Sequence, residues 1–441
     1  MKKLPKTALT LVITTILAGT SLAHDHPTSR GRLVFADHET PVVSLLDLDD
    51  FQVTHRFSVP KANPGFSPVA GGRYVVVKTN DDHGTLNILD TGVTRDSHGD
   101  HVDLTKGPAK MLGLSFTGDR PAHVISDYGW LVLFYDGQRP WERPSEPKAI
   151  LVDIATLDGP KPTIQTWKSP APQHGIAIPV GRGEWIFSVP NPAYAKGDDQ
   201  KASSRPNGFE VLDQNRQWQT VASFNDLTRP DKSCKLYHGH AALADRHVFG
   251  CHAAIADSPL SDGGVLILER DGKGIWGSRK LAYPDARRAS TIKATAANPA
   301  MVANYGADGR PYDALLRIDP TAASLTAADV FTIPGGQPVC QFELTPDGKR
   351  VANLTPDGML RIYETAPSWT ETASFPAVPA FDCAYGAKTP TPTLAIVGNS
   401  AFVSDPVNRR IREYHLNTLK QGLDIQIDGM PANIAGGGHG G

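Results

Sequence analysis

Three histidines share one setting in this chain. His123 stands in Pro121-Ala-His123-Val-Ile, His174 in Pro172-Gln-His174-Gly-Ile, and His238 in Leu236-Tyr-His238-Gly-His240. Each follows a short turn and leads into an apolar run, a turn and a second apolar run. The second runs are Trp130 to Phe134, Glu184 to Phe187 and His247 to Cys251. A neutral imidazole offers one lone pair, and three that face one space are satisfied most simply by a transition metal. The plainer alternative is that the rings cap carbonyls lining a channel and hold water. His240, two residues past His238, is a reserve ligand.

Two other stretches could bind metal. Asp96-Ser-His98-Gly-Asp100-His101-Val-Asp103 sets His98, Asp100 and His101 close together, freed by Gly99, as a chelate for zinc. A polar turn is the alternative there. The second stretch is at the N-terminus. If the chain is cleaved after Ala23, it begins His24-Asp25-His26. A free amine, two amide nitrogens and the His26 ring form a square-planar set suited to Cu(II) or Ni(II), although His24 and His26 could also hold zinc loosely. His38, His55, His83, His247 and His415 sit in turns or strand alternation and read as structural. There is no Gly-x-Ser-x-Gly elbow, no His-Glu-x-x-His and no phosphate-binding glycine loop, which speaks against an enzyme.

Side chains so far apart in sequence meet only if the fold returns their hairpins to a common axis. The hairpin recurs at intervals of roughly 50 to 65 residues, as stacked or radial repeats do. Glycine and proline are abundant, with 41 and 36 residues in 441, and no long amphipathic helix pattern stands out. This suits many short strands joined by tight turns. From Arg32 we count eight units, at about 32–60, 65–120, 121–168, 172–225, 234–283, 290–333, 338–377 and 380–428. The seventh shows three strands separated by Asp347-Gly and Asp357-Gly turns, and then a fourth, as in the blade of a propeller. Pro431-Ala-Asn433-Ile-Ala435 could supply an inner strand to the first unit and close the ring. The expectation is an all-β propeller of eight four-stranded antiparallel blades, with seven as the alternative, forming a single domain over 31–435. Residues 24–30 and the Gly-rich 436–441 are expected to be flexible.

Compartment follows from the N-terminus. Lys2, Lys3 and Lys6, an apolar stretch from Ala8 to Leu17 and Ser21-Leu22-Ala23 read as a signal peptide over 1–23. The apolar stretch is short for a membrane span and no second one follows, so we expect a soluble, monomeric periplasmic protein. Net charge is −2 with signs interspersed, which gives nucleic acid no basic stripe. Cysteines persist as disulfides in that compartment, and four allow three pairings. Cys234–Cys251 and Cys340–Cys383 are favoured. The first two fall at the same end of one hairpin. Cys340 occupies the position that His123 and His174 hold in their units, and Cys383 lies in the loop leading to the next. A Cys/His metal site using Cys234 and Cys251 is the alternative.

His98-Gly-Asp-His101, Pro121-x-His123-Val, His174-Gly, Cys234-x-x-x-His238-Gly and Phe249-Gly-Cys251, in this order, resemble the AztD-type periplasmic zinc metallochaperones over essentially the whole mature chain. The resemblance implies a β-propeller that binds Zn(II) and delivers it to the solute-binding protein of an ABC-type zinc importer. Where the family pattern has Glu after His-Gly in the fifth unit, this chain has His240, so the ligand there stays open. The competing function is a secreted propeller enzyme, either a metal-dependent lactonase or hydrolase or a quinoprotein-like dehydrogenase subunit.

Overall fold

The middle strands of each unit are continuous apolar runs, whereas the outermost strands alternate. Trp130–Tyr135 is buried along nearly its whole length, while Ile164–Lys168 at the edge of the same sheet alternates exposed and half-buried residues. A strand packed between two neighbouring sheets must be apolar on both faces, and an outer strand on one only. In the computed structural model, which describes residues 29–97, 102–252, 263–307, 312–384 and 386–437, these strands form eight four-stranded antiparallel sheets. Consecutive hairpins build each sheet from the inside out, giving an eight-bladed propeller.

The ring closes as the sequence suggested. Pro431–Gly437 pairs antiparallel with Arg32–Asp37 and supplies the inner strand of blade 1, so one blade is shared between the two ends of the chain. That strand runs past the 435 boundary drawn from sequence. The core lies between blades. Val34, Val43 and Leu45 of blade 1 pack with Val75, Val77 and Leu89 of blade 2, and Val132 and Phe134 of blade 3 pack with Trp185 and Phe187 of blade 4. Each such side chain contributes about 1.5–3 kcal/mol on full burial, so the blades hold one another in place.

One departure concerns blade 2. The long loop expected between its third and fourth strands contains a hairpin of its own, Val93–Ser97 paired with Val102–Lys106. Both expected disulfides, Cys234–Cys251 and Cys340–Cys383, are present. Among the described residues no helix is long and apolar enough to cross a membrane.

Candidate metal centre

His123 belongs to the inner strand of blade 3, Pro121–Asp127, at a β-bulge. Pro121 pairs with Tyr135 and Val124 with Leu133, so Ala122 and His123 carry the extra residue. A bulge re-aims a side chain that regular pleating would send elsewhere. His174 and His238 lie just ahead of the inner strands of blades 4 and 5, Ala177–Pro179 and His240–Leu243. All three therefore stand where inner strands begin, at one mouth of the channel.

The two His-Gly dipeptides have a common cause. A Cβ on Gly175 would lie 2.6 Å from Phe134 Cζ and 2.7 Å from Ser188 Oγ. A Cβ on Gly239, whose φ is +93°, would lie 1.8 Å from Ser290 O. Only glycine lets the backbone approach the neighbouring strands this closely. These contacts also position the imidazoles. Nδ1 of His123 donates to Gly175 O at 2.7 Å, across the seam between blades 3 and 4. Nδ1 of His174 donates to Asp136 Oδ2 at 2.8 Å. Nδ1 of His238 faces Ser290 O at 3.2 Å and Ser290 Oγ at 2.9 Å, in blade 6. A carbonyl can only accept, so in His123 and His238 the proton sits on Nδ1 and the lone pair on Nε2. Neighbours fix this tautomer for metal-bound histidines generally.

The three rings gather. Their centroids are 4.6 Å apart for His123 and His174, 5.4 Å for His174 and His238, and 6.4 Å for His123 and His238. A Zn–N bond of about 2.0–2.1 Å puts each ring centroid roughly 3.2 Å from the metal, so three tetrahedral ligands have centroids roughly 5.2 Å apart. The observed separations straddle that value. Among the described residues no group of three or more His, Cys, Asp or Glu side chains is placed so that it could hold a metal ion as it stands. To reach tetrahedral centroid spacing, the His123–His238 pair would have to approach by roughly 1 Å.

Electrostatics keep His123 and His238 neutral. Burial, and then the neighbouring His174, bring His123 down to about 3; burial and the nearby Arg205 bring His238 to about 3 as well. Yet all three rings are only partly covered, so an ion can reach them. Asp136 is 4% exposed, and burial pushes its carboxyl above its ordinary range against the opposing His174 hydrogen bond. Its Oδ1 is buried, and the Gly175 backbone helps to hold the carboxyl.

No protein-family model matches the chain. In sequence it is 26% identical to the zinc chaperone AztD of Citrobacter koseri, over 99% of this chain and 94% of that protein. The chain resembles AztD from end to end. Two crystal structures of Citrobacter koseri AztD, one of them of the apo protein, superpose with TM-scores of 0.74 and 0.72, at 24% identity over 92% of this chain and 96% of theirs. AztD and this chain share the propeller fold, and AztD is named as a zinc chaperone rather than an enzyme.

The other sequence candidates divide. His24, His26, His98, Asp100 and His101 lie outside the described residues. The stem that carries 98–101 sits at the far end of blade 1 from the histidine mouth. Lys106 Nζ bonds Asp47 and Asp49, while Arg32, opposite Gly437 at the end of the inner strand, reaches Thr91 O and Gly107 O. His240 turns toward His247, Nε2 to Nδ1 at 3.4 Å, with stacked rings; burial, followed by His247, holds it well below the usual range. His247, read as structural, is fully buried, and among the described residues its Nε2 has no hydrogen-bond partner. Sequence reading missed Asp136, Gly175 O and Ser290. Asp136 had a faint signal: it directly follows the strand Trp130–Tyr135, whose pairing with Pro121 returns it to the mouth.

Proposed function

We propose that this protein is a periplasmic zinc chaperone. In this reading His123, His174 and His238 bind Zn(II) through Nε2, and the ion passes by ligand exchange to the solute-binding protein of an ABC zinc importer. What supports the reading is the gathering of three imidazoles from consecutive blades, each held at Nδ1 so that Nε2 is left for a metal, with ring centroids 4.6, 5.4 and 6.4 Å apart. Three neutral nitrogens suit a borderline ion such as zinc and leave a fourth position through which it can leave. End-to-end likeness to a protein named as a zinc chaperone supports the same cargo. His98, Asp100, His101, His24 and His26 would then recruit zinc from solution, and the N-terminal His24-Asp25-His26 could also take Cu(II) or Ni(II).

Metal analysis of untagged protein tests this. Wild type should retain about one zinc or more per chain, and His123→Ala should cut the affinity of the tightest site at least about 100-fold. Full retention by His123→Ala and His174→Ala would remove the assigned ligands. Transfer to a purified importer protein, without turnover of lactones, separates the chaperone from the propeller-enzyme alternative.

A further inference from the structure

On the same face as the histidines, between blades 3 and 4, lies a cavity of about 400 Å³ walled by Arg120, Arg139, Trp141, Tyr194, Gln200 and Ser204. It adjoins the metal centre through two backbone hydrogen bonds. Asp136 N donates to Arg120 O at 3.1 Å, and His174 N donates to Ser204 O at 2.7 Å. Trp141 packs edge-on to Tyr194, with centroids 5.5 Å apart, and stiffens the wall.

The charges decide what fits. Among the described residues no carboxylate lines the cavity. Asp198 and Asp199 lie on the same loop, but Asp199 Oδ1 is taken up by Lys201 N. Arg139 pairs with Glu142 at 2.7 Å, both largely exposed, an ion pair of a kind that a competing carboxylate replaces at little cost. Arg120 senses the buried Asp136 carboxylate but makes no side-chain hydrogen bond or ion pair among the described residues. Asp136 links the two sites, with its backbone N–H on Arg120 O and its carboxyl on His174 Nδ1. A bound Zn(II) would add two positive charges on the far side of Asp136 from Arg120 and make the cavity more attractive to an anion.

The geometry points to this cavity as the docking site for an acidic segment of the protein that exchanges zinc with this one, with Arg120 as the anchor and the zinc-loaded form bound in preference to the empty one. The inference rests on the zinc reading above. Complementary charge at such a rim raises association rate and selects partners more than it adds raw affinity. Here it would bring a recipient to a full carrier and let it leave an empty one.

The test uses the full mature chain, zinc-loaded and metal-free, titrated at low salt with a Glu-Ala hexapeptide and its Gln-Ala counterpart. The Glu peptide should bind the loaded form at least about fivefold tighter than the empty form, while the Gln peptide shows no such difference. Arg120→Gln and Arg139→Gln should each weaken the Glu peptide about threefold or more without changing zinc content. Equal binding of the two peptides, or an Arg120→Gln protein that binds the Glu peptide like wild type, would overturn the assignment. So would acetate displacing the Glu peptide at equal carboxylate concentration, since the site would then take a free anion. If the histidines prove to hold no zinc, the chaperone reading fails by metal analysis. The docking surface is then judged on metal-free protein by the same Arg120 comparison.

Discussion

The start of an inner strand carries opposite chemistry on the two sides of the mouth. In blades 3, 4 and 5 it carries His123, His174 and His238, each anchored at Nδ1 and open at Nε2. In blade 7 the corresponding position is Cys340, bonded to Cys383 in the loop leading to blade 8. One side uses neighbouring blades to aim side chains at a shared space; the other uses a covalent tie to hold two blades together. A propeller gives every blade the same opening, so the residue placed there decides whether it gathers side chains, as His123, His174 and His238 do, or ties blades together, as Cys340 does.

The comparison breaks most visibly if the tie is removed. The Cys340–Cys383 disulfide closes a loop with a sequence separation of 43. The Cys340→Ser, Cys383→Ser double variant should lose about 3–4 kcal/mol of unfolding free energy while keeping its zinc stoichiometry. Denaturant unfolding and metal analysis on the same sample check both halves. Zinc lost in step with stability would mean that the two sides of the mouth are not independent.

On the histidine side, Asp136 is the anchor that carries charge. Replacing it by Asn keeps the shape but offers His174 a neutral acceptor, so zinc affinity should fall about 10- to 100-fold. Competition with a chromophoric chelator measures it. An unchanged affinity would show that Asp136 only fills space.

Protons sharpen the same contrast. His123 and His238 sit near 3 in the folded protein against about 6.5 in an unfolded chain. The folded form therefore refuses protons that the unfolded chain accepts. The stability of the metal-free protein is intact above about pH 6.5 and should fall progressively as pH drops from there toward 3. A His123→Gln, His238→Gln double variant should show a shallower decline in thermal unfolding between pH 7 and 4. An equally steep decline would assign the acid sensitivity to other groups, such as His247, which burial holds at about 4.

The fold was legible because its signals are local. Asp347-Gly and Asp357-Gly turns, apolar middle runs and a tail resembling another inner strand all sit within single hairpins, and hairpins define blades. The three ligand candidates were legible for the same reason, since each leads its own hairpin. Their anchors were not. Gly175 O, Asp136 and Ser290 reach the histidines across blade seams, and those contacts depend on cross-strand register and on a bulge at Ala122–His123 that no local pattern announces. The hairpin within the 93–106 loop was missed because short polar strands such as Thr94-Arg-Asp carry no apolar alternation.

The smallest effect should come from Ser290. His238 Nδ1 faces two acceptors there, the hydroxyl at 2.9 Å and the carbonyl at 3.2 Å, and the carbonyl survives Ser290→Ala. Losing one of two acceptors leaves the ring donating, and therefore still presenting Nε2, so zinc affinity should fall less than about threefold. Asp136 differs, because among the described residues no second acceptor for His174 Nδ1 stands behind it. A drop beyond tenfold in Ser290→Ala, read by the same chelator competition, would show that the hydroxyl alone sets the tautomer. The backbone anchor would then have to be dropped from the account of His238 while it stands for His123, whose acceptor is the carbonyl of Gly175.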